Sequence, residues 1–235
     1  MPEFMILMHG SEPVAASLPP SETRELLERQ AAYEQRLRAL SAYVDGERLR
    51  PSGEGRRVAS QEGEPSVELG PFAPPTLEAY CVVQADDLDA ALALAADCPV
   101  SPGSQVEVRP VMKGRSDSAK TNQPGRIFAF VVLGKAESER SWIELMDQID
   151  ERTSEHFPVQ HFRGGLRLRE PSQGRQINAT AGRRATFDGP FLESKEVIGG
   201  IFFMRMAGLA EAVEFAQTSA FVERGSLEIR ELWRS

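Results

Sequence analysis

The chain repeats itself, and the repeat limits it to a fold that can be built twice. LRPSGEGRRV, from Leu49 to Val58, lines up with LREPSQGRQI, from Leu168 to Ile177. GPF at Gly70–Phe72 matches GPF at Gly189–Phe191 at the same offset. QVEVRPV from Gln105 matches SLEIREL from Ser226 with the offset grown by two, and the first strands align on Gly10 and Gly134 with it grown by five. Four matches in one order, separated by small indels that fall between elements, mark a duplicated module. A length of 235 residues accommodates two domains of the commonest size. The expected organisation is a first module over 1–112, a linker over 113–124 (KGRSDSAKTNQP) and a second module over 125–235. The linker segment has no large apolar residue and nothing to bury.

Each copy reads as β-α-β-β-α-β with an extra hairpin in the middle. In the first strand Phe4, Ile6 and Met8 alternate with Met5, Leu7 and His9, and both registers are largely apolar, as they are in IFAFVVLG of the second copy. Such a run predicts a strand covered on both faces. Leu26, Gln30, Tyr33, Leu37, Leu40 and Val44 then predict an amphipathic helix capped at Ser21. Trp142, Leu145, Ile149, Thr153 and His156 form the equivalent stripe, with a capping box at Ser141–Glu144 and a stop at Pro158. Second helices are expected after Asp87 and Gly208, followed by closing strands in VEVRPV and LEIREL. This is the ferredoxin-like plan, whose helices cover one face of the sheet only. The other face needs a partner, and the other copy supplies one. The expected fold class is α+β: two tandem ferredoxin-like modules packed sheet to sheet, with a pocket enclosed between them.

Composition narrows the function. A net charge of −8 argues against a nucleic-acid binder, which needs a basic surface to displace phosphate counterions. Two cysteines, Cys81 and Cys98, have neither metal-ligand spacing nor a disulfide framework. The opening MPEFMILMHG is too short and too lightly charged for a signal peptide, and no apolar run approaches the roughly 20 residues that span a bilayer. A cytoplasmic protein without membrane contact is expected. No metal or cofactor is expected either: no phosphate-loop or dinucleotide motif is present, and no histidine pair has ligand spacing.

ATFDGPFLESKEVIGGIFF, from Ala185 to Phe203, resembles the DGPF-type signature of the YCII-related (YciI-like) family. The second copy keeps Asp188, Gly189, Pro190, Phe191, Glu193, Lys195, Glu196, Gly199 and Gly200 of that signature. FMILMHG, Tyr33-Glu34, GERLRP, ADCP and VEVRPVM in the first copy are similar to the same family. The resemblance implies a dimeric α+β barrel, here as an intramolecular pseudo-dimer to which further homodimerisation could be added. It also implies either a small-molecule enzyme with a His/Asp pair in its cleft or an accessory protein tied to sigma-factor stress signalling. The first copy departs from the signature: Leu69 stands in the place of the Asp, and Pro74, Pro75 and Thr76 replace Glu, Ser and Lys.

Candidate residues carry two readings each. Asp188-Gly189-Pro190 forms a turn by residue type alone, since Asp bonds nearby backbone N–H groups while Gly and Pro set φ. Gly70-Pro71-Phe72 keeps that turn without the carboxylate, which leaves Asp188 available to a cleft. Glu193 and Lys195 share a strand face, as a surface ion pair or as contacts to an anionic ligand. Among the three histidines, His9 ends the first strand but is matched by Leu133, His156 lies on a helix stripe, and His161 sits in a loop. The candidate catalytic set is Asp188, His9 and His156, for lyase, isomerase or hydrolytic chemistry. The candidate ligand-binding set is Gly189, Pro190, Phe191, Glu193 and Lys195. A non-catalytic ligand-binding or accessory module is the rival reading.

Overall fold

A strand apolar in both registers must be covered on both sides, and in the computed structural model Phe4, Met5, Ile6 and Leu7 are all buried. The structure describes residues 1–116, 125–134, 159–180, 183–188, 197–223 and 225–233. The first half runs β1 (Glu3–Gly10), α1 (Glu12–Ala16), α2 (Pro20–Ala39), β2 (Tyr43–Arg48), β3 (Arg56–Gln61), β4 (Glu64–Leu69), β5 (Thr76–Gln84), α3 (Leu88–Ala95) and β6 (Gln105–Ser116). The second runs β7 (Arg126–Gly134), β8 (Phe162–Leu168), β9 (Arg175–Thr180), β10 (Arg183–Asp188), β11 (Val197–Met206), α4 (Leu209–Gln217) and β12 (Gly225–Glu231). The helix expected from Trp142 to His156, its capping box and Pro158 lie outside the described residues.

Two helix starts follow the sequence. Asp87 caps α3 by accepting a hydrogen bond from the Ala90 N–H at 2.8 Å, and α4 opens after Gly208. The start of α2 differs from expectation. Pro19 holds the capping position and Pro20 the first turn, so Ser21 lies inside the helix and caps nothing. Proline is well suited there, because its missing N–H would have had no helical partner. The apolar stripe is also shorter than its spacing suggests. Only Tyr33 and Leu37 are buried in α2; Leu40 is exposed at its end, and Val44 is exposed on β2. Ser41, at φ 55°, takes the chain through the left-handed region and out of the helix before Val44.

The architecture is α+β with antiparallel sheets. Strand order β2-β5-β1-β6 in the first half and β8-β11-β7-β12 in the second is the ferredoxin-like order. The central hairpins do not extend their own sheets. β3 pairs with β12, with Val58 opposite Leu227, and β9 pairs with β6, with Ile177 opposite Val106. Each half thus lends its hairpin to the sheet built by the other. The compact units follow this exchange: unit 1 comprises Met1–Arg48, Ala73–Val111 and Pro171–Phe191, and unit 2 comprises Leu49–Phe72, Met112–Glu170 and Leu192–Ser235. The segment expected to open the linker, from Lys113 to Ser116, continues β6; residues 117–124 lie outside the described residues.

Each core records the exchange. In unit 1, Phe4, Ile6, Cys81, Val83, Val106 and Val108 pack with Tyr33 and Leu37 of α2, with Ala91 and Ala95 of α3, and with Ile177 from the lent hairpin. In unit 2, Phe128, Phe130, Phe202, Met204 and Leu227 pack with Ala212 and Ala216 of α4 and with the lent Val58. Phe130 and Phe202 stack at 4.8 Å between ring centroids, and Phe215 meets Phe130 edge-on at 5.5 Å. Among the described residues no helix is long and apolar enough to cross a membrane.

The repeated motif that reveals the duplication is the docking element of the hairpin. Gly55 and Gly174, equivalent in the repeat, each close a single 3-10 turn just before β3 and β9. A Cβ on Gly174 would stand 2.5 Å from Arg109 Cδ and 2.9 Å from the Val108 carbonyl oxygen. One on Gly55 would stand 2.7 Å from Arg230 Cδ and 2.9 Å from the Ile229 carbonyl oxygen. Glycine is required because the lent hairpin lies directly against a buried arginine of the host sheet. Gly174→Ala is therefore expected to cost about 1–3 kcal/mol, as overpacking does. Although the substitution lies in the second half of the sequence, hydrogen exchange should show lost protection in β1 and β6 and unchanged protection in β7 and β12.

Candidate functional site

The face of the unit 1 sheet opposite its helices carries a buried polar group. Cross-strand partners His9–Gln105, Leu7–Glu107 and Met5–Arg109 join β1 to β6, and Glu107 faces Gln176 of the lent strand β9. Alternation sets His9, Glu107, Arg109 and Gln176 on this face, while Phe4, Ile6, Val106, Val108 and Ile177 turn to the helices. A bulge shapes the end of β1: Met8 is opposite Ala79 but His9 is opposite Leu77, so Glu78 is passed over on β5. Bulges re-aim side chains and gather near functional positions. Unit 2 has the same irregularity at the equivalent place, where Gly199 is passed over between Ile198 and Gly200.

Charge is concentrated where water is not. Arg109 is fully buried, and His9 and Glu107 are 9% and 8% exposed. Arg109 Nη1 donates to Glu107 Oε1 at 2.9 Å, and His9 Nε2 lies 3.4 Å from Glu107 Oε2. Burial by itself would push the Glu107 carboxyl up. The contact with His9 and the charge of Arg109 outweigh that and hold it down at about 2. Glu107 is therefore ionised across the whole working range. Two amides complete the face: Gln105 Oε1 and Gln176 Nε2 are buried without a hydrogen-bond partner among the described residues. A buried acceptor and a buried donor left open beside a histidine–carboxylate pair suit a polar ligand.

Unit 2 repeats the frame with different contents. Glu228 and Arg230 occupy the places of Glu107 and Arg109 and pair at 3.0 Å, with Arg230 1% exposed. Leu133, opposite Ser226, holds the place of His9. Arg57 holds the place of Gln176 and pairs with Glu228 at 2.9 Å. This carboxylate is bound between two guanidinium groups and has no titratable base beside it among the described residues.

The exchanged hairpin decides which candidates share a unit. Asp188 ends β10, and β10 belongs to unit 1 with His9 although the two residues come from opposite halves of the sequence. In register Asp188 faces Arg175, in the row of Val108 and Ile6, adjoining the row of Phe187, Gln176 and Glu107. Leu69, which stands in place of Asp188, ends β4 in unit 2. The unit with the histidine therefore has the aspartate, and the unit with Leu133 has Leu69. His156, Gly189, Pro190, Phe191, Glu193 and Lys195 lie outside the described residues. His161 has a structural role, its Nδ1 meeting the Arg205 carbonyl oxygen at 2.9 Å. Asp97 pairs with Arg36 at 2.7 Å on the exposed side of α2.

Sequence reasoning found His9 and missed Glu107 and Arg109. The signal was present in both copies as E-x-R inside VEVRPV and LEIREL. Alternating charges in a strand ordinarily mark a solvated face, whereas here both strands are central and the charges are buried. The depressed Glu107 carboxyl makes stability pH-dependent with a definite sign. Its contribution is fully present above about pH 4.5 and is lost as pH falls toward about 2. Denaturant titrations should show wild type losing a few kcal/mol over that window. Glu107→Gln should be weaker at neutral pH by about 3–5 kcal/mol, because Arg109 stays buried without its anion, and should be flatter through the acid range.

Three solved structures are similar to this chain at low identity. An anthrone oxidase-like protein shares 8% identity, with 99% of this chain and 92% of that chain covered at a TM-score of 0.44. A proposed chlorite dismutase shares 11%, with 100% and 96% covered and a TM-score of 0.37. A proposed monooxygenase from Fusobacterium nucleatum subsp. nucleatum shares 12%, with 98% and 91% covered and a TM-score of 0.38. At TM-scores below 0.5 these likenesses decide nothing about activity. No curated protein matches. The YCII-related domain matches over residues 3–115 and again over 159–235, which is most of the sequence, and the chain belongs to that family.

Proposed function

We propose that the protein is a small-molecule enzyme of acid–base type, working at the His9 face of unit 1, with unit 2 as a scaffold that has lost its site. The observation that carries this reading is the ionised, buried Glu107 held between His9 and Arg109, next to the open polar atoms of Gln105 and Gln176. His9 takes a proton from the bound molecule, and the Glu107 carboxylate lies 3.4 Å from the ring on which the positive charge forms. Arg109 keeps Glu107 ionised and in place. The amides of Gln105 and Gln176 orient the ligand by accepting and donating one hydrogen bond each. Asp188 is in the same unit, but its register row is that of Val108 and Ile6, which turn to the helices, so the proton-transfer step is assigned to His9, with 189–195 as the adjoining binding segment. Proton abstraction of this kind opens lyase, isomerase and hydrolytic reactions alike. A cytoplasmic setting and an absence of cofactor belong to the same reading.

A second reading is favoured by unit 2, where Leu133 and Leu69 replace both His9 and Asp188. A chain that discards half of its acid–base groups also suits a non-catalytic ligand-binding or accessory module in sigma-factor signalling.

The two separate in one experiment. A panel of small carbonyl acids with acidic C–H groups, incubated with the protein in D2O, is monitored by NMR for deuterium uptake. Uptake that falls by about 10²–10⁴ in His9→Asn, with an unchanged denaturation midpoint, supports the enzyme. If no compound exchanges faster than in buffer, or His9→Asn exchanges as wild type does, the lyase and isomerase reading, which needs a proton taken from carbon, fails.

A further inference from the structure

The other face of the unit 1 sheet holds an open cavity of about 270 Å³ between α2 and the β2–β5 edge. It exists because α2 reaches the sheet through only two buried residues, Tyr33 and Leu37. Met8, Cys81, Cys98, Tyr43 and Leu27 line it together with Gln30. The wall gathers both cysteines of the chain and a methionine, and sulfur packs favourably against aromatic rings. Charge enters the lining at Glu34, Glu47 and Arg48, and the sulfur and aromatic part of the wall is neutral. Burial pushes the Cys81 thiol and the Tyr33 and Tyr43 phenols well above their usual ranges. Tyr33 donates to the Leu94 carbonyl and Tyr43 to the Gly46 carbonyl, so neither hydroxyl needs a ligand. Glu34, at the rim, is held by Arg38 through two hydrogen bonds at 2.9 and 2.7 Å.

One polar atom in the wall is left over. Gln30 donates through Nε2 to the Pro99 carbonyl at 3.2 Å, which fixes the amide, and its Oε1 is buried without a partner among the described residues. An acceptor of this kind in an apolar wall selects a ligand that brings a donor. The volume lies near the lower end of small-molecule sites, room for one or two fused rings rather than a nucleotide cofactor.

We infer that this cavity is a second small-molecule site, taking a flat aromatic compound with an N–H or O–H donor, of the indole or phenol class, whose donor bonds Gln30 Oε1. The site stands apart from His9 and independent of its chemistry. The test uses the full chain, indole, and 1-methylindole, which has the same rings without the donor. Titration is followed by calorimetry and by the ¹³C-methyl signal of Met8, assigned through Met8→Leu. Indole should bind saturably and shift the Met8 methyl, and 1-methylindole should bind about tenfold more weakly. Gln30→Leu should abolish the difference between the two compounds, and His9→Asn should leave it intact. Absence of saturation up to the solubility of indole overturns the inference, as does binding that leaves the Met8 methyl unmoved. Equal affinity of the two compounds for the wild-type chain also overturns it, and this arm holds even if Gln30→Leu does not fold.

Discussion

Two buried arginines hold the architecture together. Arg109 and Arg230 sit inside central strands with almost no exposure, and each is paired with a glutamate two residues earlier on the same strand. A guanidinium in such a place is tolerable only while its charge and its donors are satisfied, because stripping it of water costs several kcal/mol. The host strand supplies the carboxylate. The lent hairpin supplies the close cover: Arg230 Nε donates to the Arg50 carbonyl at 2.6 Å, and Gly55 and Gly174 let backbone approach the two side chains. A hairpin in any other register would press a Cβ or an unmatched carbonyl onto the charge. Electrostatic satisfaction therefore specifies which edge each hairpin joins, a registry role for a buried ion pair more than a source of net stability.

The exchange also explains a pattern that looks scattered along the chain. Sequence order gives the first half a histidine and a broken signature, and the second half a leucine and an intact one. Once the hairpins have crossed, His9 and Asp188 are in unit 1, and Leu133 and Leu69 are in unit 2. The differences between the copies at these positions therefore sort by unit and not by half of the sequence.

Most of the fold was legible in the sequence because its signals are local. Two-register apolar runs mark β1 and β7, Asp87 and Gly208 mark helix starts, and the repeat fixes the order of elements. The exchange was not legible, since the alternation in RRVASQ or RQINAT describes a strand with a good edge and says nothing about whose edge it joins. α2 was overread for a related reason. Its stripe is continuous in spacing, but Ser41 ends the geometry that would have carried Val44 to the same face. At the site, His9 was found because it closes a buried strand. Glu107 was passed over, because periodicity cannot tell a charge facing water from a charge facing another charge.

Having two copies in one chain separates what the fold needs from what one unit has beyond it. The E-x-R pair, the glycine against the arginine, and the bulge opposite the end of the first strand occur in both units, so they are conditions of the architecture. In unit 2 the bulge is made at Gly199 and presents Leu133, which has no acid–base use, so the bulge was not built for a histidine. His9 occupies a position the fold provides in any case, beside a carboxylate the fold already holds ionised. A single leucine-to-histidine change at that position would create the pairing. The reverse change would erase it with little cost to the core, because the glutamate keeps its arginine either way.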